Sequence, residues 1–169
     1  MGAGRMGTGA GTWSLGADDH KSITEHLRAL LRESSARCAL LVDRTGQLVA
    51  NAGEQLSFDP AAFASLTAAD FSANDQLAKM IGEPEFASLF HQGEKESMYL
   101  ADVGRRVILV VLFDQSTTVG MVRLRVKHTV NELAKLFEEM FSRTAPPGAQ
   151  QEGGPLAGAD DEIDKLFGD

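Results

Sequence analysis

Cysteine is almost absent from this chain of 169 residues, in which Cys38 stands alone. A single cysteine excludes an internal disulfide, so we expect a protein of the reducing cytoplasm. Because Cys38 is followed by Ala39-Leu40-Leu41, we interpret its side chain as a small buried apolar group and not as a nucleophile.

Long apolar runs are also missing. The longest, Val107 to Phe113, is far below the roughly 20 residues that a membrane-spanning helix needs. Residues 1–15 are rich in glycine and lack the apolar core of at least about 7 residues that defines a signal peptide. We therefore expect neither a membrane span nor a signal peptide.

Positive charge is in short supply, with 16 Lys and Arg residues against 24 Asp and Glu residues and a net charge of -8. A chain of this sign repels a phosphate backbone unless its basic residues gather locally. Nucleic acid is therefore not an expected partner.

Patterns that carry catalysis or bind metals are lacking as well. The four histidines show no metal-ligand spacing and no cysteine partner, and no G-x-S-x-G motif frames a serine. A formal GxGxxG at residues 2–7 has neither the preceding strand nor the following helix that a dinucleotide site requires. We predict a binding protein with no catalytic residue, no cofactor and no metal.

The patterns that are present predict regular structure from Ser22 onward. Ser22 and Glu25 have the spacing of a capping box, which predicts a first helix ending near Ser34. A hairpin is predicted from Leu40 to Ala50, around a type I turn at Asp43-Arg44-Thr45-Gly46.

A second helix has clear boundaries, with Asp59 as N-cap, Pro60 at its first position and Gly82 just past its end. Its large apolar residues are predicted to face the core: Phe63, Leu66, Phe71, Leu77, Met80 and Ile81. Small residues occupy much of the remainder and would permit close approach of another backbone: Ala64, Thr67, Ala68, Ser72 and Ala73. Packing of these small residues on the domain's own sheet explains them equally well, and both interpretations stay open at this point.

Three further strands are predicted at 86–91, 97–103 and 106–113, the third in the middle of the sheet because it is apolar on both faces. A long amphipathic helix follows and ends before Pro146. The order α-β-β-α-β-β-β-α predicts an α+β fold with helices on the faces of an antiparallel sheet.

Four regions follow from this organisation. Residues 1–20 are predicted to form a flexible glycine-rich tail, 21–143 the domain, 144–158 a flexible linker and 159–169 a short docking helix. In the last region Ile163, Leu166 and Phe167 have helical spacing behind acidic residues. A solvated acidic tail with three chance apolar residues is the alternative.

Several segments together resemble the Roadblock/dynein light chain family. They are the hairpin 41–49, the helix end 77–83, the segments 90–99 and 109–114, and the start of the last helix at 122–127. The resemblance covers about residues 22–143 and resumes at 160–167. It implies a five-stranded antiparallel sheet with one helix on one face and two on the other.

The resemblance also implies a function, because bacterial members of the family regulate a Ras-like small GTPase in cell polarity. Such proteins form homodimers by pairing sheet edges and second helices, and they stimulate GTP hydrolysis by moving the GTPase's own switch residues, without an arginine finger. The implied contact residues of helix two are Ala64, Thr67, Ala68, Ser72, Ala73 and Gln76. The implied setting is the cytoplasm, with a cell pole as one location and other polarity proteins as further partners.

Two features leave alternatives open. The family commonly has Gly-Asn where Ala69-Asp70 stand and small residues at 74–76, so the identity of the GTPase stays open, and a paralogue that binds another partner would look similar. A scaffold that bridges polarity or motility proteins without activating a GTPase is the second interpretation. Arg44, Arg105 and Arg106 lie in predicted turns, where they are interpreted as solvated charge in preference to an arginine finger.

Overall fold

The computed structural model describes residues 15–144. Three helices and five strands follow one another in the predicted order: α1 (Ala17–Ser34), β1 (Cys38–Asp43), β2 (Leu48–Gly53), α2 (Pro60–Met80), β3 (Ser88–Gln92), β4 (Ser97–Val103), β5 (Val107–Phe113) and α3 (Val119–Thr144). No helix in this part of the chain combines the length and the hydropathy that crossing a bilayer requires. The proposed contact residues Ile163, Leu166 and Phe167 lie outside the described residues, as do most of the predicted tail and linker.

The five strands form one antiparallel sheet in the order β2-β1-β5-β4-β3. Strand β5 occupies the middle, as its apolar sequence predicts, and all of its side chains are buried except the half-buried Leu112. Strands β2 and β3 form the two edges. The predicted fold class is therefore confirmed.

Side chains alternate between the two faces of the sheet. Leu40, Ile108 and Val110 belong to a core cluster that is completed by Ala64 and Phe71 of α2. The alternate residues, such as Leu41 and Leu109, are equally buried on the opposite face. Helices α1 and α3 lie on that face, where Arg125 of α3 pairs with Glu33 of α1 at 3.3 Å.

Helix α1 begins at Ala17, five residues before the start that the capping-box pattern predicts. Its N-cap is Gly16, which provides no side-chain hydrogen bond, whereas Asp18 and Asp19 lie in the first turn. Carboxylates there interact favourably with the helix dipole and with the free N-H groups. The capping-box prediction is wrong, and the last four residues of the predicted 1–20 tail belong to this helix.

The turn between β1 and β2 is held by one carboxylate. Asp43 Oδ1 accepts hydrogen bonds from the N-H of Thr45 at 2.9 Å, its hydroxyl at 2.7 Å and the N-H of Gln47 at 2.9 Å. Gly46 closes the turn at φ +93°, and a Cβ added there would lie 3.0 Å from Ser65 Cα. The predicted turn is confirmed, and it packs directly against α2.

Candidate partner-binding surface on helix α2

Helix α2 exposes large apolar residues to solvent. The exposed fractions are 70% for Leu66, 54% for Leu77 and 81% for Met80, and Ile81 just past the helix is 71% exposed. Of the residues predicted to face the core, Phe71 alone is fully buried, and Phe63 is half-buried. The predicted core stripe is therefore wrong for Leu66, Leu77, Met80 and Ile81.

Small residues of α2 take the place of that stripe against the sheet. Ala64 is 0% exposed, Thr67 is 3% and Ala68 is 8%. Short side chains let the helix lie close to the large side chains of β1, β4 and β5, which already fill the space between the two layers. For these three residues the structure agrees with packing on the domain's own sheet, whereas Ser72, Ala73 and Gln76 are exposed.

The outward face of α2 forms a continuous stripe, which we call the α2 ridge: Leu66, Ala69, Ala73, Leu77 and Met80. Successive members are three or four residues apart, the spacing of one helix face and of a helix-helix seam. Alanine at the centre of the ridge leaves room for another backbone between flanking large side chains. The ridge is therefore suited to pack against a second helix.

The open edge of the sheet lies beside this ridge. Among residues 15–144, strand β3 pairs with β4 on one side only, so the backbone on its outer side can pair with another strand. His91 of β3 reaches α2, where its Nε2 lies 2.9 Å from Asp70 Oδ2. This contact joins the β3 edge and the flank of the α2 ridge into one surface.

Asp70 is also bound from within α2. Asn74 Nδ2 donates to the Asp70 carbonyl oxygen at 2.8 Å and to its Oδ1 at 3.1 Å. At both positions the resemblance drawn from the sequence implies a departure from the family pattern. Sequence reasoning missed the role of His91, because its 21-residue separation from Asp70 leaves no local signal.

Arg44 is not the solvated turn charge that the sequence suggested. Its guanidinium pairs with Asp75 Oδ2 of α2 at 3.1 Å and with Asp102 of β4, and it lies 4.9 Å from the Phe71 ring centroid. The arginine therefore ties the β1–β2 turn to a helix and a strand. Arg105 is 72% exposed at its side chain and pairs with Glu85 at 3.3 Å.

Two cavities flank α2. A polar cleft of about 390 Å³ lies beside Arg44, Asp75 and Lys79, and a more apolar cavity of about 330 Å³ is lined by Cys38 and Phe58 among others.

Burial raises the pKa of the Cys38 thiol to about 11, so the thiolate is scarce at neutral pH. Cys38 is 5% exposed, which confirms its predicted burial. Within residues 15–144 no group of three His, Cys, Asp or Glu side chains is arranged to hold a metal ion.

The fold agrees with a comparison against protein-family models. Residues 22–113 match the model of the Roadblock/LC7 domain, and the chain belongs to this family. The resemblance inferred from the sequence is thereby confirmed. A comparison with curated protein sequences finds no match.

A comparison with solved structures finds similarity to MglB proteins. Myxococcus xanthus MglB is 45% identical, with a TM-score of 0.68 over 70% of this chain and 96% of that chain. The gliding protein MglB from Thermus thermophilus is 32% identical, with a TM-score of 0.70 over 78% and 99%. An MglB described as having a tetrameric arrangement is 32% identical, with a TM-score of 0.72 over 78% and 98%.

Proposed function

We propose that this protein is a homodimeric regulator of an MglA-like Ras GTPase, and that it stimulates GTP hydrolysis by repositioning the GTPase's own switch residues. The similarity to MglB over most of the chain supports the class of regulator. Action in the cytoplasm, at a cell pole, in the control of polarity and gliding motility is part of the same proposal.

The exposed α2 ridge is the observation that carries this proposal. In a two-fold dimer the same patch meets itself, so the ridges of two copies would bury Leu66, Leu77 and Met80 against each other. The unpaired edge of β3 would add strand pairing to the helix contact. A pair of α2 helices would then present their outer flanks to one GTPase.

The predicted contact residues divide into two roles in this proposal. Ser72, Ala73 and Gln76 are exposed and would contact the second copy or the GTPase directly. Ala64, Thr67 and Ala68 are buried against the sheet and would act by setting how close α2 lies to the sheet. Any partner contact at these three positions would need α2 to move.

Activation without an arginine finger is consistent with the fixed position of Arg44. Its guanidinium is held by two carboxylates and the Phe71 ring, so extending it into a partner would break all three contacts. Phosphoryl transfer depends mainly on orientation and charge stabilisation. A regulator that orients the GTPase's own residues needs no reactive group of its own.

The C-terminal segment 159–169 completes the proposal. We propose that Ile163, Leu166 and Phe167 bind a second surface of the GTPase and assist nucleotide exchange. Tethering to the domain would raise their local concentration at a GTPase that is already bound. Deletion of 160–169 should spare hydrolysis and slow exchange, and an unchanged exchange rate would remove this role.

The experiment is GTP turnover by a purified MglA-like GTPase with and without this protein. We expect turnover to rise with added protein. Binding without a rise would instead identify the non-activating scaffold. Substitution Ala73→Arg should abolish GTPase binding, because it places a long charged side chain at the centre of the ridge.

The matched control for that substitution is Ala17→Arg, which adds the same side chain to an exposed position of α1. Light scattering on both variants separates loss of the dimer from loss of the GTPase contact alone. If Ala73→Arg bound the GTPase with unchanged affinity, the interface would have to lie elsewhere than on the ridge.

A further inference from the structure

Basic residues are concentrated in the first half of α3. Residues 119–131 contain Arg123, Arg125, Lys127 and His128 and no acidic residue, in a chain whose net charge is -8. Such segregation creates a local positive potential on an acidic protein. A charged partner of the opposite sign would be drawn to this half of the helix.

The same half of α3 exposes apolar side chains. Leu124 is 60% exposed and Met121 is 40% exposed, whereas Val122 and Val126 are buried on the inner side of the helix. Arg125 turns toward α1 and pairs with Glu33. The outward side, which we call the α3 basic face, therefore consists of Met121 and Leu124 beside Arg123, Lys127 and His128.

Within the described residues, the charges of this face are uncompensated. Among residues 15–144, Arg123 and Lys127 have no ion-pair partner, although like charges four residues apart on a helix repel each other. An exposed leucine between them adds a second unfavourable feature. A ligand that supplies both carboxylates and an apolar surface would pair with the two cations and bury the leucine.

We propose that the α3 basic face binds an acidic amphipathic helix of another protein. The apolar residues of that helix, spaced i, i+3 and i+4, would lie over Leu124 and Met121. Its carboxylates would pair with Arg123 and Lys127. This interaction goes beyond the regulation of a GTPase and does not depend on it, because α3 and α2 cover opposite faces of the sheet.

An anionic membrane is the weaker candidate for this face. Membrane binding by a surface helix scales with buried apolar area, and two exposed apolar residues supply little. The net charge of -8 also opposes close approach to a uniformly anionic bilayer. A single short helix carries far less total charge than a bilayer surface and therefore meets less of that repulsion.

The test is fluorescence anisotropy of a labelled acidic peptide with the full-length protein. The peptide is a designed helix of about five turns, with leucines on one face and glutamates elsewhere. Two matched peptides serve as controls, one with the same composition but dispersed leucines and one with lysine in place of glutamate. We expect only the patterned acidic peptide to bind, and more weakly at high salt because the charges are exposed.

Three variants locate the contact on α3. Arg123→Glu combined with Lys127→Glu, and separately Leu124→Ser, should each weaken peptide binding by roughly tenfold or more. Lys95→Glu, a charge reversal at an exposed position in the β3–β4 turn, should leave affinity unchanged. All substituted side chains are exposed, so the thermal midpoints should match that of the wild type and serve as the folding control.

Several outcomes would overturn the proposal. If the peptide with dispersed leucines bound as tightly as the patterned peptide, the interaction would be a non-specific attraction between charges. Equal affinity in the Arg123 and Lys127 double variant would place the peptide elsewhere. Sedimentation with vesicles of phosphatidylcholine and phosphatidylglycerol, without peptide binding, would assign the face to a membrane.

Discussion

The substitution Leu66→Ala should weaken the proposed dimer much more than it changes the folding stability of the protomer. Leu66 is 70% exposed in the protomer, and alanine has a helix propensity at least as good as that of leucine. The folding stability of an isolated protomer should therefore change by less than about 1 kcal/mol, because little of the leucine side chain is buried there. In a two-fold dimer built on the α2 ridge the same side chain is buried once per copy.

The expected loss can be estimated from that exposure. Full burial of a leucine side chain contributes about 1.5–3 kcal/mol, and the exposed 70% of Leu66 leaves roughly 1–2 kcal/mol per copy to be gained on association. Two copies give about 2–4 kcal/mol, which corresponds to a dissociation constant raised by roughly 30- to 700-fold.

The assay is sedimentation equilibrium over a dilution series of wild type and variant. Leu124→Ala is the matched control, because Leu124 is 60% exposed on α3 and lies outside the α2 ridge. We expect the dimer to weaken in Leu66→Ala and to be unchanged in Leu124→Ala. A Leu66→Ala dissociation constant within about threefold of the wild type, a difference below roughly 0.7 kcal/mol, would refute the proposed use of the ridge.

Three further predictions concern the protomer, each measured by urea unfolding. Arg44→Ala should destabilise it by about 1–3 kcal/mol, because Asp75 and another partly buried carboxylate lose their partner, and Arg44→Lys should recover part of this. Gly46→Ala should cost roughly 2–3 kcal/mol, since a positive φ combines with a close contact. Its control Gly104→Ala, at φ +61° with open space around it, should cost about 1 kcal/mol. Burial raises the pKa of Cys38 from 9.0 to about 11, so the native state binds this proton more tightly. The stabilisation that Cys38 contributes to the free energy of unfolding is then fully present below pH 9 and falls by up to roughly 3 kcal/mol as the pH rises toward 11. The variant Cys38→Ala should not show this fall. Equal pH dependence in the two proteins would contradict the assignment.

Most elements with local signals were predictable from the sequence, the start of α1 excepted. Asp59 caps α2 by accepting from the N-H of Ala61 at 3.0 Å, and Gly82 follows the helix at φ +88°, as the residue types suggest. The uniformly apolar β5 could be placed in the middle of the sheet, because both of its faces need cover. Turn chemistry and strand burial act over a few residues, so they can be inferred without the fold.

The orientation of α2 could not be predicted in the same way. Large apolar residues normally face the core of their own domain, and this rule assigns Leu66 and Met80 to the inside. The sheet already presents large side chains on the α2 side, so the space left over suits Ala64, Thr67 and Ala68. Which set of residues faces inward depends on the volume supplied by distant strands, and helical spacing alone contains no information on that volume.

By the same reasoning, we expect the residues that determine which GTPase binds to lie on the flank of the α2 ridge. Asp70 and Asn74, where the resemblance drawn from the sequence implies a departure from the family, do not lie on the ridge itself. They form a hydrogen-bonded group with His91 of β3. A change at these positions therefore leaves the apolar seam intact and alters the polar border between the seam and the β3 edge. A partner that pairs with Asp70 must accommodate or displace His91, whereas a second copy that packs on the ridge need not. The departures at Asp70 and Asn74 should thus affect the choice of GTPase more than the ability to dimerise, whereas the one at Ala69 lies on the ridge itself.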